Sequence, residues 1–440
     1  MDFNWKITLN KIIWMIVFLS LSLYLYSLDI FFLFIFVLIL VILEVASYYF
    51  ANFLRKKFPW FITAKDEFPM ISEEGLDKFM PHGFDKELGW IRKPNSKKEE
   101  LGKYGKTEYS INARGSRKNP RYENLPVKIS CYGDSFTFAR QVNDNETWEH
   151  YLSRFSKSNV LNFGVGNYGL DQSLLRLKRE YPLNKSKIVI MGVVPSTIVR
   201  ILSLWKHYNE FGNTFAFKPM YQLKNNKLVL IKNKIDSKEK FLNLKRYLPF
   251  FKRNDYFYKK KFRKEMIRSP YFISIISNPG RNFRLIYWII RSLLVEKSTT
   301  SRNQPYPLPM KVIMDVNLNL RCHLYKYDDY ALELMKRLVE EFISYGKEQG
   351  FTPVFLFMPQ KDDLLYIKKS KDDYYRKFID CIKDKLLTID TTENLLKQDN
   401  LDQLYSDDTK YGGHYSKTGN EIIARLLFKE FKKNFSLAEL

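Results

Sequence analysis

The chain has 440 residues, a formal net charge of +24, and 45% hydrophobic and 16% aromatic residues. That length and apolar content suit one large or two ordinary domains and exclude a globally disordered chain. The charge favours anionic partners: nucleic acid, an anionic membrane surface or phosphorylated substrates. Three dispersed cysteines, Cys131, Cys322 and Cys381, form neither a disulfide framework nor a zinc pattern, and fit a reducing compartment.

Residues 12 to 51 are almost uninterruptedly apolar, about twice the ~20 residues that one membrane helix needs. The expectation is a transmembrane hairpin within residues 1–52, with helices over 8–26 and 30–51 and a turn at Ser27-Leu28-Asp29. A cleaved signal peptide fits poorly, because the run is too long and no small-residue cleavage site follows it. Glu44 is costly in lipid unless it faces the partner helix or lies near an interface. Lys6 and Lys11 precede the first helix, and Arg55, Lys56 and Lys57 follow the second. The positive-inside rule then places both ends, and the soluble part, on the cytoplasmic side of the cell membrane.

Residues 53–125 read as a connector packing on the core. Its turns flank short extended segments at Asp85–Trp90 and Tyr109–Arg117. The alternative is that Asn112, Arg114 or Arg117 lines an active-site mouth.

An α/β pattern starts at residue 126. Val127 to Tyr132 reads as a buried strand ending at Gly133-Asp134-Ser135, where a serine stands at the end of a parallel strand. Open α/β sheets place their ligands at such ends. A serine there becomes a nucleophile if a base reaches its hydroxyl; otherwise Gly-Asp-Ser is only a capped turn. A helix from Glu146 to Phe155 leads to a second strand, Asn159–Val165, and the glycine-rich Gly166-Asn167-Tyr168-Gly169. Lys187–Val194 is a third strand, ending at Pro195-Ser196-Thr197, with Arg200 beyond it as a candidate for a substrate anion. The alternation resumes with a helix over Tyr330–Gly350, a strand over Phe351–Pro359, a helix over 370–385, a short strand at Leu386–Asp390 and a closing helix from Ser416 to Lys433. His414 lies just before that last helix. Asp362-Asp363 reads as a helix cap or solvated turn. Strands alternating with helices imply a parallel sheet covered on both faces. The core thus has two halves, 126–199 and 326–440.

Residues 200–325 interrupt the pattern as an insertion or lid. Between Lys238 and Arg268 stand twelve Lys and Arg against three acids, Glu239, Asp255 and Glu265, with eight aromatics interleaved. Basic plus aromatic suits a nucleic-acid groove or anionic lipid. The N-terminal apolar run favours the lipid bilayer, and no nucleic-acid recognition motif accompanies the charge. Ser298 to Pro309 reads as a loop. His82, His150, His207 and His323 lack metal-ligand spacing, and no phosphate loop or dinucleotide fingerprint occurs, so neither metal nor cofactor is expected.

Gly133-Asp134-Ser135, the block Asn162–Gly169 and the late His414 together resemble the blocks of SGNH (GDSL-type) hydrolases and acyltransferases. The resemblance covers residues 126–200 and 326–435. It implies a flavodoxin-like three-layer α/β/α domain and a serine esterase or O-acyltransferase acting on an acyl ester of a lipid or saccharide. Ser135 would attack the carbonyl and His414 would take its proton. Backbone N–H groups of Ser135 and of the second block would hold the oxyanion, that block aligning on Asn167 or, one register away, Gly166. Asp134 would belong to the substrate-binding face with Arg200. Two features depart from the family's pattern. Ser196 stands near the place of its usual side-chain asparagine. Gly412 and Tyr411 stand where an acid normally orients the histidine, which leaves Asp408 first, then Asp407, Asp402 or Asp390, for that role. These departures motivate a second expectation: a degenerate copy that binds lipid or saccharide, or scaffolds an envelope assembly complex.

Overall fold

A computed structural model describes residues 5–27, 30–295, 307–406 and 413–436. It divides into two units: residues 1–69 with 260–313, and residues 70–259 with 314–440. The stretch expected as one insertion is therefore shared between them.

In the first unit, α1 (Trp5–Ser27) is followed by α2 (Phe31–Lys57). Among the described residues one helix, α2, is long and apolar enough to cross a membrane, with a mean hydropathy of 2.7 over its best window. The apolar part of α1, Ile13–Tyr24, is shorter than a span. Of the two spans expected for a hairpin, the described residues thus supply one. Near its C-terminal end α2 buries Ala51, Leu54 and Phe58 against Ile267, Tyr271, Leu285 and Ile289. Glu44 does not face α1. Its carboxylate accepts the Phe272 N–H at 2.9 Å and the Ser269 hydroxyl at 3.3 Å, which satisfies the acid with donors at the start of the helix Tyr271–Ile276.

The second unit is built on a five-stranded parallel sheet. Its strands are β1 (Val127–Gly133), β2 (Asn159–Asn162), β3 (Ile188–Val193), β4 (Thr352–Phe357) and β5 (Leu387–Asp390), in the order β5-β4-β3-β1-β2. The strands lack polar alternation because both faces are covered. On one face, α3 (Trp148–Ser156) and α8 (Lys417–Asn434) pack Trp148, Leu152, Ile423 and Leu427 against Ile129, Cys131, Ile190 and Leu356. The other face carries α4 (Leu170–Glu180), α5 (Asp329–Gln349) and α7 (Arg376–Ile382). Between the last two, α6 (Lys361–Ser370) follows β4. Within the span expected as one helix over 370–385 the structure has the shorter α7, and α6 precedes it.

Local chemistry sets these boundaries. The Thr147 hydroxyl caps α3 by accepting the His150 N–H, the Asp328 carboxylate caps α5 by accepting the Ala331 N–H, and the Ser416 hydroxyl caps α8 by accepting the Gly419 N–H. Asp362 and Asp363 are not a solvated turn. Both are buried, and Arg321 donates to them at 2.5 and 2.7 Å. The helix Pro307–Tyr327 begins inside the segment read as a loop; residues 298–306 lie outside the described ones.

The strand order reverses direction between β1 and β3, so the crevice at the C-terminal ends of these two strands is where such a sheet receives a ligand.

Candidate active site

The serine turn grows directly out of β1. A Cβ on Gly133 would lie 2.0 Å from Thr137 Oγ1 and 2.1 Å from the Gly192 carbonyl oxygen. Glycine at that point lets the chain fold back so that the Thr137 hydroxyl reaches the same Gly192 carbonyl at 2.9 Å. Asp134 closes the turn. One carboxylate oxygen accepts the Phe136 N–H at 2.8 Å, and its main-chain carbonyl accepts the Phe138 N–H at 2.9 Å. The other carboxylate oxygen meets Arg200 Nη1 at 2.6 Å, and the same Nη1 donates to the Tyr168 carbonyl at 3.1 Å. Asp134 and Arg200 are both buried. Burial raises the Asp134 carboxyl from its ordinary value, with Arg200 and the turn N–H groups opposing. Both groups expected to touch substrate are therefore paired with each other next to the serine.

Ser135 is 6% exposed, and its hydroxyl bonds to no described residue. The N–H groups of Ser135, Gly166 and Asn167 also find no acceptor among the described residues. A Cβ built on Gly166 would lie 4.0 Å from Ser135 Cβ, which places the glycine loop beside the serine. Asn167 adopts φ 66°, a conformation that asparagine tolerates. The loop is pinned from outside by the Trp90 indole N–H, which donates to the Gly166 carbonyl at 2.9 Å. Unpaired backbone donors beside a serine are what an oxyanion site requires. Ser196, just past β3, has a buried hydroxyl without a partner among the described residues.

His414 packs its ring on Phe136, the residue after the serine, with centroids 5.0 Å apart. Its main-chain carbonyl accepts the Ser406 N–H at 2.8 Å. The ring is oriented by Gln141: His414 Nδ1 lies 2.8 Å from Gln141 Oε1. The Gln141 amide Nε2 donates to the Leu101 carbonyl at 3.3 Å, which turns Oε1 toward the ring; the Ser406 hydroxyl lies 3.2 Å from the His414 carbonyl and 3.3 Å from Oε1. Oε1 is thus the acceptor, Nδ1 carries the proton, and Nε2 is left as the basic nitrogen. Burial and the charges of Arg140, Arg200 and Arg92 hold the imidazole well below its ordinary pKa, so it is neutral at physiological pH.

The acids expected at His414 do not hold it among the described residues. Asp390 bonds the Thr392 N–H at 3.0 Å, and Asp402 pairs with Lys361 at 2.5 Å. Asp408 and Asp407 lie outside the described residues. Sequence reasoning missed Gln141, which stands six residues past Ser135, has φ 64° and carries no charge to mark it.

The connector contributes more than packing. Arg117 is buried, and it donates to the carbonyls of Phe138, Ala139 and Val142 at 2.8, 2.6 and 2.6 Å and to Asp144 at 2.7 Å. It does not line a mouth; it braces the turn that delivers Gln141. Glu100, on the antiparallel β-hairpin of Lys97–Gly102 and Gly105–Ser110, binds that turn from its other side, accepting from Arg140 at 2.9 Å and from the Gln141 N–H at 3.0 Å. Two of the other histidines have structural surroundings. His150 bonds Asn119 at 3.1 Å and is pulled down to about 4, chiefly by burial. His207 stacks on Trp205 with centroids 4.6 Å apart. No group of three or more His, Cys, Asp or Glu able to hold a metal occurs among the described residues.

No family model matches the chain, and no curated protein matches it. Among solved structures it is similar to a lipase/acylhydrolase from Enterococcus faecalis, with 12% identity, 70% of this chain and 97% of that one covered and a TM-score of 0.32. A member of the lipolytic protein G-D-S-L family from Veillonella parvula matches at 9% identity, with 70% and 99% covered and a TM-score of 0.30. Est24, a carbohydrate acetylesterase from Sinorhizobium meliloti, matches at 10% identity, with 70% and 100% covered and a TM-score of 0.28.

Proposed function

We propose that this chain is a membrane-anchored serine esterase or O-acyltransferase of the SGNH type. What supports the reading is that Ser135, flanked by three backbone N–H groups without an acceptor among the described residues, precedes Phe136, on whose ring the neutral His414, oriented through Nδ1, is packed. Ser135 Oγ attacks the acyl carbonyl while its proton passes to His414 Nε2. The oxyanion takes the N–H groups of Ser135, Gly166 and Asn167. The intermediate then expels the alcohol, which leaves with the proton from His414. Water or a second alcohol deprotonated by the same nitrogen releases the acyl group from Ser135. The substrate is an acyl ester of a lipid or saccharide at the membrane face. α2 anchors the chain, α1 completes the hairpin, and the soluble part lies on the cytoplasmic side, as the flanking lysines and arginines favour. In this reading Gln141 takes the orienting role at Nδ1 that the sequence assigned first to Asp408, a residue outside the described ones.

The test is labelling of the detergent-purified full chain with a fluorophosphonate probe, beside Ser135→Ala and His414→Ala. Labelling that requires both residues supports the reading. A folded wild-type protein that takes no label overturns it in favour of a binding or scaffolding role.

A further inference from the structure

A cleft of about 230 Å³ opens beside the serine, and it is built by the segment between the first unit and β1. Its connection to the site is Gly166, which lines the cleft and stands beside Ser135. Apart from Val165, the remaining walls come from residues 79–109, and their chemistry is one-sided. His82, Arg92, Lys93 and Lys98 line it, and no acid does among the described residues. The Lys93 and Lys98 ammonium groups pair with no carboxylate among the described residues. Arg92 lies flat on Phe138 and Tyr109, 3.7 and 4.4 Å from the ring centroids, and donates to the Tyr109 hydroxyl. The nearest acid to its guanidinium is Glu100, 3.7 Å away, which is already engaged by Arg140 and the Gln141 N–H. The buried Nε of Arg92 has no hydrogen-bond partner among the described residues. Trp90 and Tyr109 add aromatic surface to the same walls.

A half-enclosed site with several cations, an unmatched buried guanidinium nitrogen and no acid disfavours a neutral occupant and attracts an oxyanion. We infer that this cleft binds a phosphoester group of the substrate, so that the ester bond attacked by Ser135 belongs to a molecule carrying a phosphate close to its acyl group. The inference rests on the esterase reading for the role of Ser135, but the binding itself does not depend on it. Phosphate seated there also offsets the positive field of Arg92 and Arg140 on His414, which favours proton uptake by the imidazole as the serine attacks. The shared chemistry has two sources, a soluble polyol or sugar phosphate and a phospholipid headgroup.

The experiment is equilibrium binding to the full chain carrying Ser135→Ala, compared with the same protein carrying Lys93→Gln and Lys98→Gln in addition. One arm uses glycerol 3-phosphate and the other phosphatidylglycerol vesicles. Lys98 is exposed on the hairpin strand Lys97–Gly102, and Lys93 is half-buried, so the folded state tolerates both changes; the melting curve checks this. Loss of two charge-assisted contacts weakens binding by about tenfold or more. A variant-dependent loss with glycerol 3-phosphate supports a soluble phosphoester. The same loss seen with vesicles alone supports a lipid headgroup. Equal binding by both proteins to both probes overturns the inference, even if the fluorophosphonate labels Ser135. Conversely, variant-sensitive binding in a protein that takes no label keeps the cleft and removes only the esterase.

Discussion

Ser135 and His414 are held in different ways. The serine stands on a sheet: β1 and β3 meet at Gly133 and Gly192, and the buried Asp134–Arg200 pair ties the turn to the exit of β3. The histidine stands at the end of a chain of loops. Arg117 and Glu100 brace the turn, the turn presents Gln141, and an uncharged amide orients the ring. The serine side is thus secured by charge and close packing. The histidine side is secured by hydrogen bonds between neutral groups at its last step. An amide fixes the tautomer as a carboxylate would, but would give much less support to the imidazolium that the proposed mechanism forms.

The largest effect that would break this contrast is expected on the serine side. Arg200→Met leaves the Asp134 carboxylate buried without its counter-charge, a change that costs about 3–5 kcal/mol in such pairs. The deficit should be greatest near neutral pH. Asp134 has a raised carboxyl in the folded state, so folding favours its protonated form, and acidification returns part of the loss. Denaturant titrations of wild type and variant at two pH values measure it; equal stability at both would mean the pair carries no weight.

On the histidine side the expected effect falls on activity and not on folding. Gln141→Leu should lower kcat/KM on the order of 10²–10³-fold, with little change in the melting temperature. Gln141→Glu should restore a strong acceptor and shift the acid limb of the pH–rate profile upward, because a carboxylate favours the protonated ring. In wild type that limb should lie well below pH ~6.5, since His414 is held below its ordinary pKa. A wild-type limb at or above 6.5, or one unmoved by Gln141→Glu, would show that a different group orients the ring.

The smallest of these changes probes packing under the serine. Gly133→Ala forces a methyl group onto Thr137 Oγ1 and the Gly192 carbonyl, and overpacking of this kind costs about 1–3 kcal/mol. Thermal unfolding reads it directly. A neutral result would mean that the strands separate there without penalty.

The same contrast governs how much could be read from the sequence. Strands β1 to β5 are runs of apolar residues between turn residues, so their positions are legible, and Ser135 stands out as the polar residue where such a run stops. His414 is legible from its place before a capped helix. Gln141, Arg117 and Trp90 are not. Each acts across a distance in the chain that no local periodicity marks, and Gln141 lacks the charge for which acids near a histidine are searched. Of the two readings of Asp362-Asp363, the cap holds, since Asp363 accepts the Gln360 N–H at 2.9 Å at the start of α6, whereas the solvated turn does not: two adjacent acids look solvated until Arg321, 41 and 42 residues earlier, is brought onto them. The division of 200–325 between two units is equally silent, because amphipathic helices name the face they bury but not the surface that covers it. Glu44 shows the same thing: its donors lie 225 and 228 residues away.

Asp134 and Arg200 are separated by 66 residues, and Gln141 and His414 by 273. During synthesis the serine therefore emerges long before anything can arm it. Its turn acquires a counter-charge only when β3 has docked, and its base arrives only with the final helix. On the proposed function, a prematurely terminated chain would display a serine without its base, so the order of assembly itself would keep unfinished copies from acting on the esters around them.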